Sequence, residues 1–81
     1  MINQEKEKRD QEKFLKKFGE HLKAIRKAKG LSGAELARLC FMEKQNIHRL
    51  EKGEFNPSLY YLRKICEGLE IDLSELLKGV K

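Results

Sequence analysis

The sequence predicts an all-α fold of five helices, and three observations predict it. Apolar residues recur at helical spacing from Phe14 to Val80. Helix-starting residues stand at Ser32, Ser58 and Asp72, and stop signals at Gly30, Gly53 and Asn56-Pro57. The chain has 81 residues, enough for one domain, whose small core buries only roughly 60% of the unfolded chain's surface.

The first helix is read from Phe14, Leu15, Phe18, Leu22 and Ile25, which share one stripe and lead to a stop at Gly30. Before it, residues 1–13 form a charged N-terminal extension. Its basic Lys6, Lys8, Arg9 and Lys13 are offset by acidic Glu5, Glu7, Asp10 and Glu12, so it is expected to be a helical continuation or a mobile tail. Residues 14–81 form the domain proper and carry the whole net charge of +5. Such a balance suits a polyanion partner and is also common in ordinary soluble domains.

The second helix begins with Ser32 as N-cap and Glu35 three residues later, a capping box that satisfies two orphan N–H groups reciprocally. Leu36, Ala37 and Cys40 lie on its inward stripe, and Ala37 is small where a neighbouring helix would cross. Phe41 and Met42 make a short turn. The third helix, about Lys44 to Lys52, points Ile47 and Leu50 inward with Glu51 beside them. Its other side carries Gln45, His48, Arg49 and Lys52 and no apolar residue, a set of donors that phosphates and major-groove base edges accept. Gly53 caps it, and Asn56-Pro57 turns the chain. The pair reads as a helix-turn-helix.

Ser58 caps the fourth helix, whose expected buried stripe is Leu59, Leu62, Ile65, Cys66 and Leu69. Asp72 and Glu75 are spaced as a second capping box for a short last helix bearing Leu73, Leu76, Leu77 and Val80. These four exceed what one short terminal helix can bury in its own domain, so they are expected to form a dimer interface.

Several segments together resemble a known family: IRKAKGLS (residues 25–32), ELA (35–37), Met42, Ile47, RLEKG (49–53), NPSL (56–59), then Leu62, Ile65, Leu69, Ile71 and Leu73. In this spacing the chain resembles the Cro/cI-type helix-turn-helix domains of phage repressors and the wider xenobiotic-response-element-like bacterial regulators, over about residues 15–78. The resemblance implies a lambda-repressor-like fold that binds double-stranded DNA with the third helix in the major groove. Base reading is expected of Lys44, Gln45 and Arg49, because Gln45 and Arg49 lie at the centre of the outward face and Lys44 opens the helix where its N-terminal turn enters the groove. Phosphate or other DNA contacts fall to Ser32, Gly33, Asn46, His48, Lys52, Asn56 and Ser58, and Arg26 is implied to pair with Glu51 as a structural ion pair.

The chain also departs from the family. Gly33 stands where many members place a phosphate-binding Gln, and Phe41 where the turn often has Gly, so the turn is expected to be strained or built differently. Glu43 is a poor N-cap for the third helix, and Phe55 replaces a polar or basic loop residue.

Other chemistries find little support. Cys40 and Cys66 sit on apolar stripes without His at ligand spacing, which reads as reduced core thiols and no metal. His21 and His48 lack a nucleophile or carboxylate at a recognisable spacing, so no enzyme and no cofactor are expected. Nothing reads as a membrane span or signal segment, which points to the cytoplasm. The leading expectation is a sequence-specific transcriptional regulator binding a palindromic operator as a homodimer. The alternative is an antitoxin-like module that neutralises a toxin partner, favoured if Leu39, Phe41 and Phe55 form one apolar patch. A restriction-modification controller, a phage-type repressor and an antitoxin are not separable at this level.

Overall fold

Residues 4–81, those the computed structural model describes, form five helices and no strand: α1 (Gln4–Ala28), α2 (Gly33–Leu39), α3 (Lys44–Glu51), α4 (Leu59–Leu69) and α5 (Leu73–Leu76). The charged extension continues α1 from Gln4 as a solvated helix, and burial begins only at Leu15, Phe18, Gly19 and Leu22. Residues 1–3 of that extension lie outside the described residues. Phe14, expected on the buried stripe, is exposed, because it stands on the flank of α1 at the edge of the domain body.

Ser32 and Glu35 form the expected capping box, with Glu35 N–H donating to Ser32 Oγ at 3.0 Å and Ser32 N–H donating to Glu35 Oε1 at 2.8 Å. The bond from Ser32 N–H, together with one from the Ser32 hydroxyl, holds the Glu35 carboxyl below its ordinary range. Phe41 takes the left-handed conformation at φ 56, so the turn keeps the geometry a glycine would favour and carries the strain of a side chain instead. Its ring is 86% exposed and gains nothing from packing. Glu43 makes no side-chain cap for α3.

Ser58 Oγ accepts from Tyr61 N–H at 3.1 Å and caps α4. The second capping box does not form. Glu75 N–H is satisfied by the Asp72 carbonyl at 3.1 Å, which leaves the Asp72 side chain without its N–H partner. Leu59 is also placed differently from expectation: it is 71% exposed on the flank of a stripe centred on Ile65 and Leu69.

Phe18, Leu22, Leu36, Ala37, Cys40, Ile47, Leu50, Ile65, Leu69 and Leu76 make one core drawn from all five helices. Leu76 is therefore not free for a dimer interface, because α5 inserts it fully into the protomer's own core. Leu77 and Val80 are half-buried against the same cluster, and Leu73 is exposed. Two close approaches set the helix geometry around α3. A Cβ at Gly19 would lie 2.5 Å from the carbonyl oxygens of Leu50 and Glu51, so α1 and α3 cross backbone to backbone. Gly53, at φ 77, ends α3 against the backbone of Lys16.

Candidate nucleic-acid interface

The sequence of α3 alternates two faces, and the core selects which turns inward. Ile47 and Leu50 are fully buried, which rotates Lys44, Gln45, His48, Arg49 and Lys52 into solvent. No apolar side chain of α3 shares that outer face. It offers the amide, imidazole, guanidinium and ammonium donors that base edges and phosphates accept.

Both ends of α3 are fixed. At its C-terminal end, Arg26 Nε donates to Glu51 Oε2 at 2.6 Å and Arg26 Nη2 donates to Glu51 Oε1 at 3.0 Å. Arg26 Nη1 also donates to the Leu31 carbonyl at 2.8 Å, tying in the link to α2. The Arg26 and Glu51 side chains are only 12% and 8% exposed, and the bond to Glu51 raises the guanidinium pKa further above its already high value. Nearer the N-terminal end, Asn46 Nδ2 donates to Tyr61 Oη at 2.9 Å. Asn46, expected among the DNA contacts, is thus half-buried and engaged with α4. A helix held at two places offers its outer side chains without first having to be ordered.

The remaining expected contacts lie at helix starts and in the loop after α3. Ser32 and Ser58 are exposed and each Oγ accepts a capping bond, with the Ser32 hydroxyl also facing the Glu35 carboxylate. Gly33 is half-buried at the first turn of α2, and Lys52 and Asn56 are exposed. Tyr61 and Phe55 were missed by sequence reasoning as partners of α3. Phe55 is half-buried, its ring 5.1 Å from that of Tyr61 and beneath the guanidinium of Arg49, 5.7 Å from the ring centre. Of the three residues of the expected apolar patch, Leu39 and Phe41 are exposed, while Phe55 is half-buried against Arg49 and Tyr61.

Cys40 packs in the core, and burial pushes its thiol up to about 11. Cys66, half-buried, is shifted the same way by burial. Among the described residues, no three His, Cys, Asp or Glu side chains stand close enough to hold a metal ion. None of the described helices is long and apolar enough to cross a membrane.

Residues 22–76 match the profile of HTH_3, described as helix-turn-helix, which spans the end of α1 through α5. Among solved structures, the chain is similar to the restriction-modification controller protein C.AhdI from Aeromonas hydrophila. Identity is 39%, the TM-score is 0.75, and the likeness covers 76% of this chain and 94% of that one. It is also similar to an HTH_3 family transcriptional regulator from Vibrio cholerae, at 33% identity and TM-score 0.79, covering 83% of this chain but 38% of that longer one. A third likeness is to the clp gene regulator ClgR from C. glutamicum, at 25% identity and TM-score 0.74, covering 79% of this chain and 83% of that one. No curated protein gives a match.

Proposed function

The chain belongs to the HTH_3 helix-turn-helix family of DNA-binding transcriptional regulators, and we propose that it binds a palindromic operator as a homodimer with α3 in the major groove. The observation that carries this reading is the outer face of α3, rich in donors, free of apolar side chains and fixed at two places on the fold. Lys44, Gln45 and Arg49 read base edges, while Ser32, Gly33, His48, Lys52, Asn56 and Ser58 meet the phosphate backbone. Binding takes place in the cytoplasm. Of the regulator types left open by the sequence, a restriction-modification controller is favoured by a likeness that extends over 94% of the Aeromonas hydrophila protein. The antitoxin reading is less favoured, because Phe55 is half-buried against Arg49 and Tyr61 instead of being as open as Leu39 and Phe41.

Two substitutions separate base reading from phosphate anchoring. Arg49→Ala is expected to cost about 1–3 kcal/mol on the preferred duplex and to relax preference at one base pair. Lys52→Ala is expected to leave the preferred sequence unchanged and to lower the slope of log affinity against log salt by about one unit. Uniform weakening by Arg49→Ala over all sequences would move Arg49 to phosphate, and an unchanged slope would remove Lys52 from the interface.

The dimer is proposed to form across α4 and α5, where Leu59, Tyr60 and Leu73 are exposed around a groove floored by Cys66 and Ile71. This relocates the interface expected from Leu73, Leu76, Leu77 and Val80, keeping Leu73. The groove suits a second copy through its apolar side chains, Leu59, Tyr60, Ile71 and Leu73, which two copies cover mutually about a two-fold axis. Sedimentation at tens of micromolar is expected to show the parent as a dimer and Leu59→Glu as a folded monomer. Equal masses for the two would place the interface elsewhere.

A further inference from the structure

The loop between α3 and α4 carries an aromatic side chain whose surroundings go beyond core filling. Phe55 is half-buried and packs its ring at 73° to that of Tyr61, with centroids 5.1 Å apart. The Arg49 guanidinium lies over the Phe55 ring at 5.7 Å, and Tyr61 Oη accepts from Asn46 at 2.9 Å. The four side chains thus form a closed path that leaves α3 at Arg49, crosses the loop and α4, and returns to α3 at Asn46.

We propose that Phe55 is a positioning residue that holds the Arg49 guanidinium by its face and so aims its N–H edge at a base, a role that rests on the DNA reading of α3 proposed above. The chemistry of the guanidinium permits this division. Its flat face is attracted to the negative face of an aromatic ring, while its N–H groups lie in the plane and remain free for paired bonds to a guanine edge. Arg49 is exposed and its long side chain has many rotamers, so a cation–π contact already present in the free protein removes part of the ordering cost that binding would otherwise carry. Lysine, with its strongly hydrated point charge, gains no such planar alignment. Tyr61 in turn steadies Phe55 edge-on, and its bond to Asn46 sets the ring pair in register with α3.

The test uses the full chain with Phe55→Tyr, Phe55→Leu and Arg49→Ala, and the double variant F55L/R49A. Each is titrated against a duplex selected from a random pool and against its single-base-pair variants. Phe55→Leu keeps the apolar bulk but removes the π face. It is expected to lower affinity about 2- to 5-fold, the span of one exposed cation–π contact, and to flatten discrimination at the base pair that Arg49→Ala relaxes. Phe55→Tyr keeps affinity and discrimination. In the Arg49→Ala background, Phe55→Leu adds nothing. In the free protein, NMR is expected to show ring-current shifts of the Arg49 side-chain protons in the parent and Phe55→Tyr, lost in Phe55→Leu. Additive losses, weakening spread evenly over all sequences, or unshifted Arg49 protons in the parent would overturn the proposal. A parent that binds no duplex overturns the DNA reading as well, whereas a binding parent with additive losses overturns the positioning role alone.

Discussion

Arg26→Met is expected to destabilise the fold by about 3–5 kcal/mol, the cost of stripping one partner from a buried ion pair. Glu51 would keep its carboxylate at 8% side-chain exposure with both guanidinium bonds gone, and the Leu31 carbonyl would lose its donor too. A domain of this size has roughly 5–15 kcal/mol in all, so urea unfolding followed by far-UV circular dichroism should show a large drop in midpoint. Adding Glu51→Leu should recover much of the loss, because a buried pair replaced by apolar groups of similar volume is often neutral or stabilising. A loss under about 1 kcal/mol for Arg26→Met would mean that the pair behaves as an exposed one. The consequence for function runs through α3: the pair anchors the end of the helix that carries Arg49 and Lys52.

Gly19→Ala is expected to cost about 3 kcal/mol, even though Ala favours a helix interior over Gly by about 1 kcal/mol. The added Cβ meets the Leu50 and Glu51 carbonyl oxygens at 2.5 Å, and both are backbone atoms that cannot rotate away. Relief requires α1 and α3 to separate, which loosens the core to which both contribute and shifts the presented helix. Gly33→Ala is the internal control: nothing lies within 4 Å of its Cβ, so thermal unfolding should be unchanged or slightly raised. Equal effects at the two glycines would mean that the α1–α3 crossing is not a close one.

What the sequence made legible was whatever is encoded locally. The capping box at Ser32 and Glu35, the cap at Ser58, the stop at Gly53 and the buried pair Ile47 and Leu50 each depend on residues within a few positions, and each is found as read. The match between Asp72 and Glu75 was equally local but competed with a tighter main-chain turn that took the same N–H. Stripe membership also misled at its flanks. Phe14 and Leu59 share the period of their helices, but whether the flank of a stripe is covered depends on which helix packs there. Glu70 ends α4 in the left-handed conformation without being glycine, so no stop signal marked it.

The site divides in the same way. The outer face of α3 follows from periodicity once Ile47 and Leu50 are known to be inside, whereas the partners that steady it come from distant segments. Neither the bond from Asn46 to Tyr61 nor the cation–π contact of Arg49 with Phe55 has a period or spacing to betray it. Phe55 was visible only as an unexpected residue type in its loop, a departure whose meaning depends on where its ring points. The burial of Leu76, expected at an interface, has the same origin: counting apolar residues on α5 could not tell how deeply that short helix inserts into its own core.

Selection of bound sequences from random duplex DNA tests the central claim, that α3 reads an operator from a two-fold dimer, most directly. The expected result is an enriched palindrome with half-site centres about 10 base pairs apart or a multiple of that spacing, whose enrichment at one position per half-site disappears with Arg49→Ala. Recovery of no preferred sequence by the folded parent chain, at salt low enough for phosphate contacts to hold, would contradict it.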